Sequence, residues 1–124
     1  MFDNMFIKLK MKLQGKMPTN RLYVIVRKDL TIKLSNTIPA VQAGHAVAEF
    51  CLNSPFAWKW LNKTLIYLQV DNLLQLKGVL WDLQKRNIQW TEFHEPDLNN
   101  SLTAIAVWMD KETTIFNYFE LLGE

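Results

Sequence analysis

The stretch Leu22-Tyr-Val-Ile-Val-Arg27 decides the fold class of this chain of 124 residues. It is short, apolar and rich in β-branched residues, and its polar and apolar positions do not alternate. A run of this kind is typical of a strand that is buried on both faces, at the centre of a sheet. The sequence therefore predicts an α/β domain built around this strand.

Working outward from this strand, helical and strand patterns alternate along the chain. They predict two helices, at residues 38–52 and 72–85. They also predict three further strands, at residues 64–70, 88–93 and 102–108, and a last helix at residues 110–122. The order β-α-β-α-β-β-α implies parallel pairings across the helical crossovers and permits an antiparallel hairpin between the last two strands. We expect a single domain over residues 21–124, preceded by a basic and flexible N-terminal extension at residues 1–20.

Charge is distributed unevenly along the chain. The net charge of +2 is too small to predict nucleic-acid binding by itself, but residues 1–34 hold eight Lys or Arg against two acids. This end of the chain could meet a polyanion, or its charges could simply lie in solvent.

Cysteine and apolar content bound the class of protein. Cys51 is the only cysteine, so no intramolecular disulfide can form, which suits a reducing cytoplasm. Its place in an apolar helical run predicts a small buried side chain.

No stretch has the apolar length of a membrane span, so no membrane partner is expected. Five tryptophans are many for this length; Trp58 and Trp60 could stack bases, although we favour closure of the core or of a homodimer interface.

Generic catalytic motifs are missing, and two polar clusters remain. The sequence has no phosphate-binding glycine loop, no zinc spacing and no Gly-x-Ser-x-Gly elbow. Gln42, His45 and Glu49 share one face of the first helix, whose start follows a buried strand, where open α/β sheets place ligands. His45 could act as a base or a phosphate partner, or this face could be a polar stripe in water.

The second cluster is the segment HEPD at residues 94–97, followed by Asn, Ser and Thr residues up to Thr103. Two carboxylates and an imidazole within four residues could position a water molecule. Pro, Asp, Asn and Ser are also ordinary turn formers, and both interpretations stay open.

Several stretches resemble the class-two, archaeal and eukaryotic type of peptidyl-tRNA hydrolase. The family signature is a Val-rich strand ending in Arg-x-Asp-Leu, then a helix bearing Ala-x-Gln-x-x-His-Ala. The chain carries YVIVRKDL at residues 23–30 and AVQAGHA at residues 40–46. EPD at residues 95–97 and LTAIA at residues 102–106 are similar to the family's acidic loop and Thr-led final strand. The resemblance covers about residues 22–108.

The resemblance implies a fold and an activity. The fold is a three-layer α/β/α arrangement on a four-stranded mixed sheet. The activity is cleavage of the ester that joins a peptide or aminoacyl group to the 3′ end of tRNA, without a metal or organic cofactor. The candidate catalytic residues are Gln42, His45, Glu95 and Thr103. The candidate substrate-binding residues are Arg27, Lys33 and Asp97, and Asp97 lies close enough to Glu95 to compete for the role of the family acid.

One family position is changed in this chain. Four residues before Gln42, where the family has a Lys, stands Ile38. A cation at that point could stabilise a developing oxyanion or hold tRNA phosphate. We therefore expect weaker hydrolysis than a typical member shows, or alternatively a binding module on the same fold. A cation beside Gln42, from Arg27, Lys28 or Lys33, would favour the enzyme.

Overall fold

The computed structural model describes residues 20–30, 37–111 and 113–124. The fold is α/β, with two helices and a five-stranded mixed open sheet in the order β3-β4-β1-β2-β5. The elements are β1 Arg21–Arg27, α1 Ile38–Asn53, β2 Leu65–Val70, α2 Leu73–Lys85, β3 Thr91–Glu95, β4 Ser101–Met109 and β5 Glu120–Leu121. Short 3₁₀ helices at Ala57–Lys59 and Pro96–Leu98 lie between them. The predicted N-terminal extension, apart from Asn20, and Lys33 lie outside the described residues.

β1 is the central strand, as the sequence predicted. All seven of its residues are buried, and it lies between β2, which is parallel to it, and β4, which is antiparallel. Its side chains alternate between two hydrophobic clusters. Tyr23 and Ile25 belong to the cluster that includes α2, and Leu22, Val24 and Val26 to the cluster that includes α1.

The topology brings several element ends to one edge of the sheet. β4 is antiparallel to both β1 and β3, so β1, β2 and β3 all run in the same direction. The carboxyl ends of β1 and β3 and the first residues of β4 therefore meet at one edge. Asn99 and Asn100, with φ of 54° and 57°, make the turn from β3 to β4 in the left-handed region that Asn tolerates well.

The third strand begins later than predicted. We expected residues 88–93, whereas β3 spans Thr91–Glu95. Ile88 and Trp90 instead pack, partly buried, against the α2-side cluster as part of the connection from α2. His94 and Glu95 consequently end a strand and do not lie in a loop.

The predicted last helix is wrong. Residues 113–124 form turns and the short strand β5, which pairs with β2 and makes the sheet five-stranded instead of four-stranded. Phe116 is buried and its ring centroid lies 4.4 Å from that of Tyr23. The sequence Thr113-Thr114-Ile115 is β-branched and favours a helix weakly, so core packing of Phe116 and pairing of β5 prevail.

Two smaller findings concern the surface. Cys51 is exposed, so its predicted burial is wrong: it lies on the solvent side of α1, away from the buried Ala46 and Phe50. In the part of the chain that the structure describes, no helix is long and apolar enough to cross a membrane.

Candidate active site

Three of the predicted site residues form one hydrogen-bonded chain. The Thr103 hydroxyl donates to Gln42 Oε1 at 2.6 Å, and Gln42 Nε2 donates to Glu95 Oε1 at 2.9 Å. Gln42 and Thr103 are 2% and 0% exposed, whereas Glu95 is partly exposed. Because the hydroxyl donates to the amide oxygen, the amide nitrogen must face the carboxylate. The chain thus begins inside the core and ends on a carboxylate that water can reach.

A β-bulge turns Thr103 toward α1. On β3 and β4, Phe93 pairs with Ala104 but His94 pairs with Leu102, so Thr103 is an extra residue on β4. A bulge of this kind interrupts the alternation of a strand and redirects its side chains. Leu102 accordingly packs in the α2-side cluster, while Ala104 packs in the α1-side cluster. Without the extra residue, alternation along β4 would place Thr103 on the face opposite to Ala104.

His45 lies beside this chain on the same helix face as Gln42. Its ring centroid is 4.6 Å from that of Phe93, which lies two residues before Glu95 on β3. Its Nδ1 is buried and has no hydrogen-bond partner in the part of the chain that the structure describes. The prediction that Gln42, His45 and Glu95 lie together is consistent with this geometry, and the catalytic roles stay predictions. Phe93 was not among the residues selected from the sequence. Its position two residues before Glu95 on a strand places both side chains on the same face, which could have predicted it beside the site.

Arg27 has a structural role in this geometry. It is 5% exposed, and its guanidinium binds both carboxylate oxygens of Asp29, at 3.0 and 2.8 Å. Nη1 donates to Ser101 Oγ at 2.9 Å and to the carbonyl of Leu102 at 3.1 Å. Arg27 thus joins the end of β1 to the start of β4, at the two residues that precede Thr103. Asp29 lies in the turn that follows β1, two residues after Arg27.

Asp97 lies at the rim, next to Glu95. It is exposed in the 3₁₀ helix Pro96–Leu98, and its backbone N–H donates to Glu95 Oε2 at 3.4 Å, a long contact. The Asp97 carboxylate makes no hydrogen bond to Gln42 within the described residues. Of the two candidate acids, Glu95 is therefore the one that the hydrogen-bonded chain reaches.

Two of the predicted cations, Arg27 and Lys28, are paired with acids other than Glu95. Lys28 pairs with Asp71 and Glu120, each at 3.1 Å, which raises the pKa of Lys28. No Lys or Arg of residues 20–30, 37–111 or 113–124 forms an ion pair with Glu95, and Ile38 is a half-buried residue at the start of α1. Among these residues there is also no cluster of His, Cys, Asp or Glu that could hold a metal.

His94 points away from this chain and pairs with a neighbour on β3. Its Nε2 lies 2.7 Å from Glu92 Oε1, and its Nδ1 lies 2.9 Å from the carbonyl oxygen of Asn100. The hydrogen bond to Glu92 raises the pKa of His94. Burial alone would raise the pKa of Glu92, but hydrogen bonds from Trp90 and His94 outweigh it and the pKa is lowered.

In comparisons with known proteins, no protein-family model matches the chain, and no curated protein matches it. The resemblance to peptidyl-tRNA hydrolases therefore rests on the motif residues of the sequence alone.

Proposed function

We propose that this chain is a hydrolase of the class-two peptidyl-tRNA hydrolase type, with tRNA as its partner in the cytoplasm and no metal or organic cofactor. Its substrate is the ester between a peptide or aminoacyl group and the 3′ end of tRNA. The three-layer arrangement of that family belongs to the proposal. The observation that carries it is the hydrogen-bonded chain Thr103–Gln42–Glu95. It joins Gln42 to motif residues that lie 53 positions (Glu95) and 61 positions (Thr103) further along the sequence.

The proposed chemistry is attack by water on the ester carbonyl. Glu95 takes a proton from the water as its oxygen bonds to the carbonyl carbon, and the carbonyl oxygen becomes an oxyanion. Collapse of this intermediate breaks the ester bond, and the tRNA hydroxyl leaves with the proton returned from Glu95. Gln42 and Thr103 act as positioning residues because they hold the carboxylate in one orientation.

The position of Ile38 limits the expected rate. An oxyanion needs a donor or a cation, and losing one such group costs about 100-fold or more in turnover. Arg27 and Lys28 are engaged by Asp29, Asp71 and Glu120. We therefore expect slow hydrolysis, and Ile38→Lys should raise it. The gain should appear in kcat if the charge acts on the transition state, and in KM alone if it binds phosphate.

The decisive variant is Glu95→Gln. It keeps an oxygen for the Gln42 amide and preserves the shape of the side chain, but it removes the base. Release of tRNA from peptidyl-tRNA should fall by at least about 100-fold, while Asp82→Asn, an exposed carboxylate on α2, should leave the rate unchanged. Equal rates for Glu95→Gln and the parent chain would contradict the proposed base.

A binding module on the same fold is the second candidate. It is favoured by the burial of Gln42 and by the lack of an ion-paired cation at Glu95 among the described residues. In that case no tRNA is released by any variant, yet peptidyl-tRNA still binds, and Glu95→Gln changes the affinity and not a rate. Measuring binding and release in the same samples separates the two functions.

A further inference from the structure

A cavity of about 500 Å3 lies at the other end of β3 from Glu95. It is open to solvent and is lined by the end of α1 and the segment that follows it, the connection from α2 to β3, and the end of β4. Thr91 lines it at the start of β3, four positions before Glu95, which corresponds to roughly 13 Å along the strand. Its volume lies within the range of about 300–1,000 Å3 that is usual for small-ligand sites.

Positive charge predominates around this cavity. Among the described residues, Lys59, Arg86 and Lys111 line it, against the one carboxylate of Asp110. All three cations are exposed, and none of them has an ion-pair partner within the described residues. Unpaired cations that converge on one concave surface attract an anionic ligand.

An aromatic surface lies beside these cations. The rings of Phe56 and Trp108 are stacked, with centroids 5.4 Å apart and planes at 15°, and both line the cavity. Lys59 Nζ lies 5.7 and 6.0 Å from the two centroids. The indole N–H of Trp108 is buried, without an acceptor among the described residues, which is unfavourable for the fold. Proteins bind unpaired nucleic-acid bases by stacking them on aromatic side chains that lie beside cations.

We infer that this cavity binds a nucleotide, with the base against Phe56 and Trp108 and the phosphate held by Arg86 and Lys111. A sugar phosphate would use the cations but leave the aromatic surface unused, and an apolar ligand would leave the cations unpaired. The nucleotide is either a free mononucleotide or an unpaired residue of an RNA chain. This inference goes beyond the proposed ester hydrolysis and does not depend on it, because binding is measured without hydrolysis.

Calorimetric titration of the full chain with four probes tests the inference. The probes are CMP, cytidine, inorganic phosphate and the RNA tetracytidylate. CMP should bind at least about tenfold more tightly than cytidine or phosphate, because base stacking and charge contribute together. Tetracytidylate that binds more tightly than CMP identifies a nucleotide in a chain, and equal affinities identify a free mononucleotide.

Variants at exposed positions separate this site from general charge attraction. Arg86→Gln with Lys111→Gln should weaken CMP binding by about tenfold and reduce the salt slope for tetracytidylate by about 0.7 for each cation that contacts phosphate. Lys77→Gln removes an exposed lysine of α2 away from the cavity and should change neither. Phe56→Leu should weaken CMP and cytidine but not phosphate.

Two results would overturn the inference. One is CMP binding no more tightly than inorganic phosphate, which would mean an anion site without base recognition. The other is an equal loss of CMP affinity in Lys77→Gln and in the double variant, which would mean diffuse attraction. Since the replaced cations are exposed, thermal unfolding of the Arg86, Lys111 and Lys77 variants should match that of the parent chain and exclude misfolding as the cause.

Discussion

The buried link between Thr103 and Gln42 can be tested by Thr103→Val, which replaces a hydroxyl by a methyl group of similar size. Thr103 is fully buried, and its hydroxyl is a donor at 2.6 Å to the buried oxygen of Gln42. The change removes this bond and leaves a buried acceptor unsatisfied. Such a loss costs about 1–3 kcal/mol of unfolding free energy, which corresponds to roughly 3–12 °C in Tm for a domain of this size.

Thr64→Val is the matched control, because the same chemical change is made at another buried threonine. Thr64 is 8% exposed, and its hydroxyl is buried with no hydrogen-bond partner within residues 20–30, 37–111 and 113–124. Its backbone carbonyl, which accepts from Trp60 Nε1, is unchanged by the substitution. Replacing an unpaired buried hydroxyl by a methyl group should be neutral or stabilise the fold by about 1 kcal/mol.

Urea unfolding followed by tryptophan fluorescence measures both variants against the parent chain. The midpoint should fall for Thr103→Val and hold or rise for Thr64→Val, with unchanged m values that show an unaltered exposed surface on unfolding. If Thr103→Val were as stable as the parent chain, the hydroxyl would not hold Gln42. If both variants lost the same free energy, the loss would come from the methyl group and not from the hydrogen bond.

Two further predictions concern charged groups. Asp29→Asn should cost about 2 kcal/mol of unfolding free energy, because it leaves the buried Arg27 guanidinium without the counter-charge of the partly exposed Asp29. In urea unfolding, the control Asp82→Asn should stay within about 0.5 kcal/mol of the parent chain. An equally small loss for Asp29→Asn would contradict the role of the Arg27–Asp29 pair. Since Glu92 raises the pKa of His94, protonated His94 stabilises the fold. This contribution is complete below the unfolded pKa of about 6.5 and is lost as pH rises through the raised folded value. The pair is exposed, so the loss should stay under about 1 kcal/mol. The difference in Tm between parent and His94→Gln should shrink as pH rises from 5 to 9, and a constant difference would show that His94 does not stabilise through its charge.

The sequence by itself determined the elements whose signals are local. The apolar run from Leu22 to Arg27 predicted a central strand, because only burial on both faces suits a stretch without polar alternation. The first helix, Ile38–Asn53, and the second, Leu73–Lys85, were predicted to within one residue at each end. The shared face of Gln42 and His45 follows from helical spacing alone. Each of these signals is contained within a window of a few turns or one strand.

The tertiary structure alone decided which of the polar residues meet. The sequence favoured Glu95 over the nearby Asp97 only through a loose resemblance, whereas in the structure only Glu95 ends a strand that lies beside Gln42. Thr103 reaches Gln42 because β4 carries one residue more than its partner strand, and a bulge depends on the register between two strands. No local pattern encodes that register, because it is set by how both strands pack together.

The C-terminal segment shows the same division. Residues 110–122 have helical capping and spacing, yet Phe116 packs into the core and Glu120–Leu121 pairs with β2. Burial of an aromatic ring and pairing of an edge strand each stabilise more than the small differences in helix propensity of the residues between them. Those gains exist only once β1, β2 and α2 have formed the surface that receives them, so they depend on contacts between residues far apart in the chain.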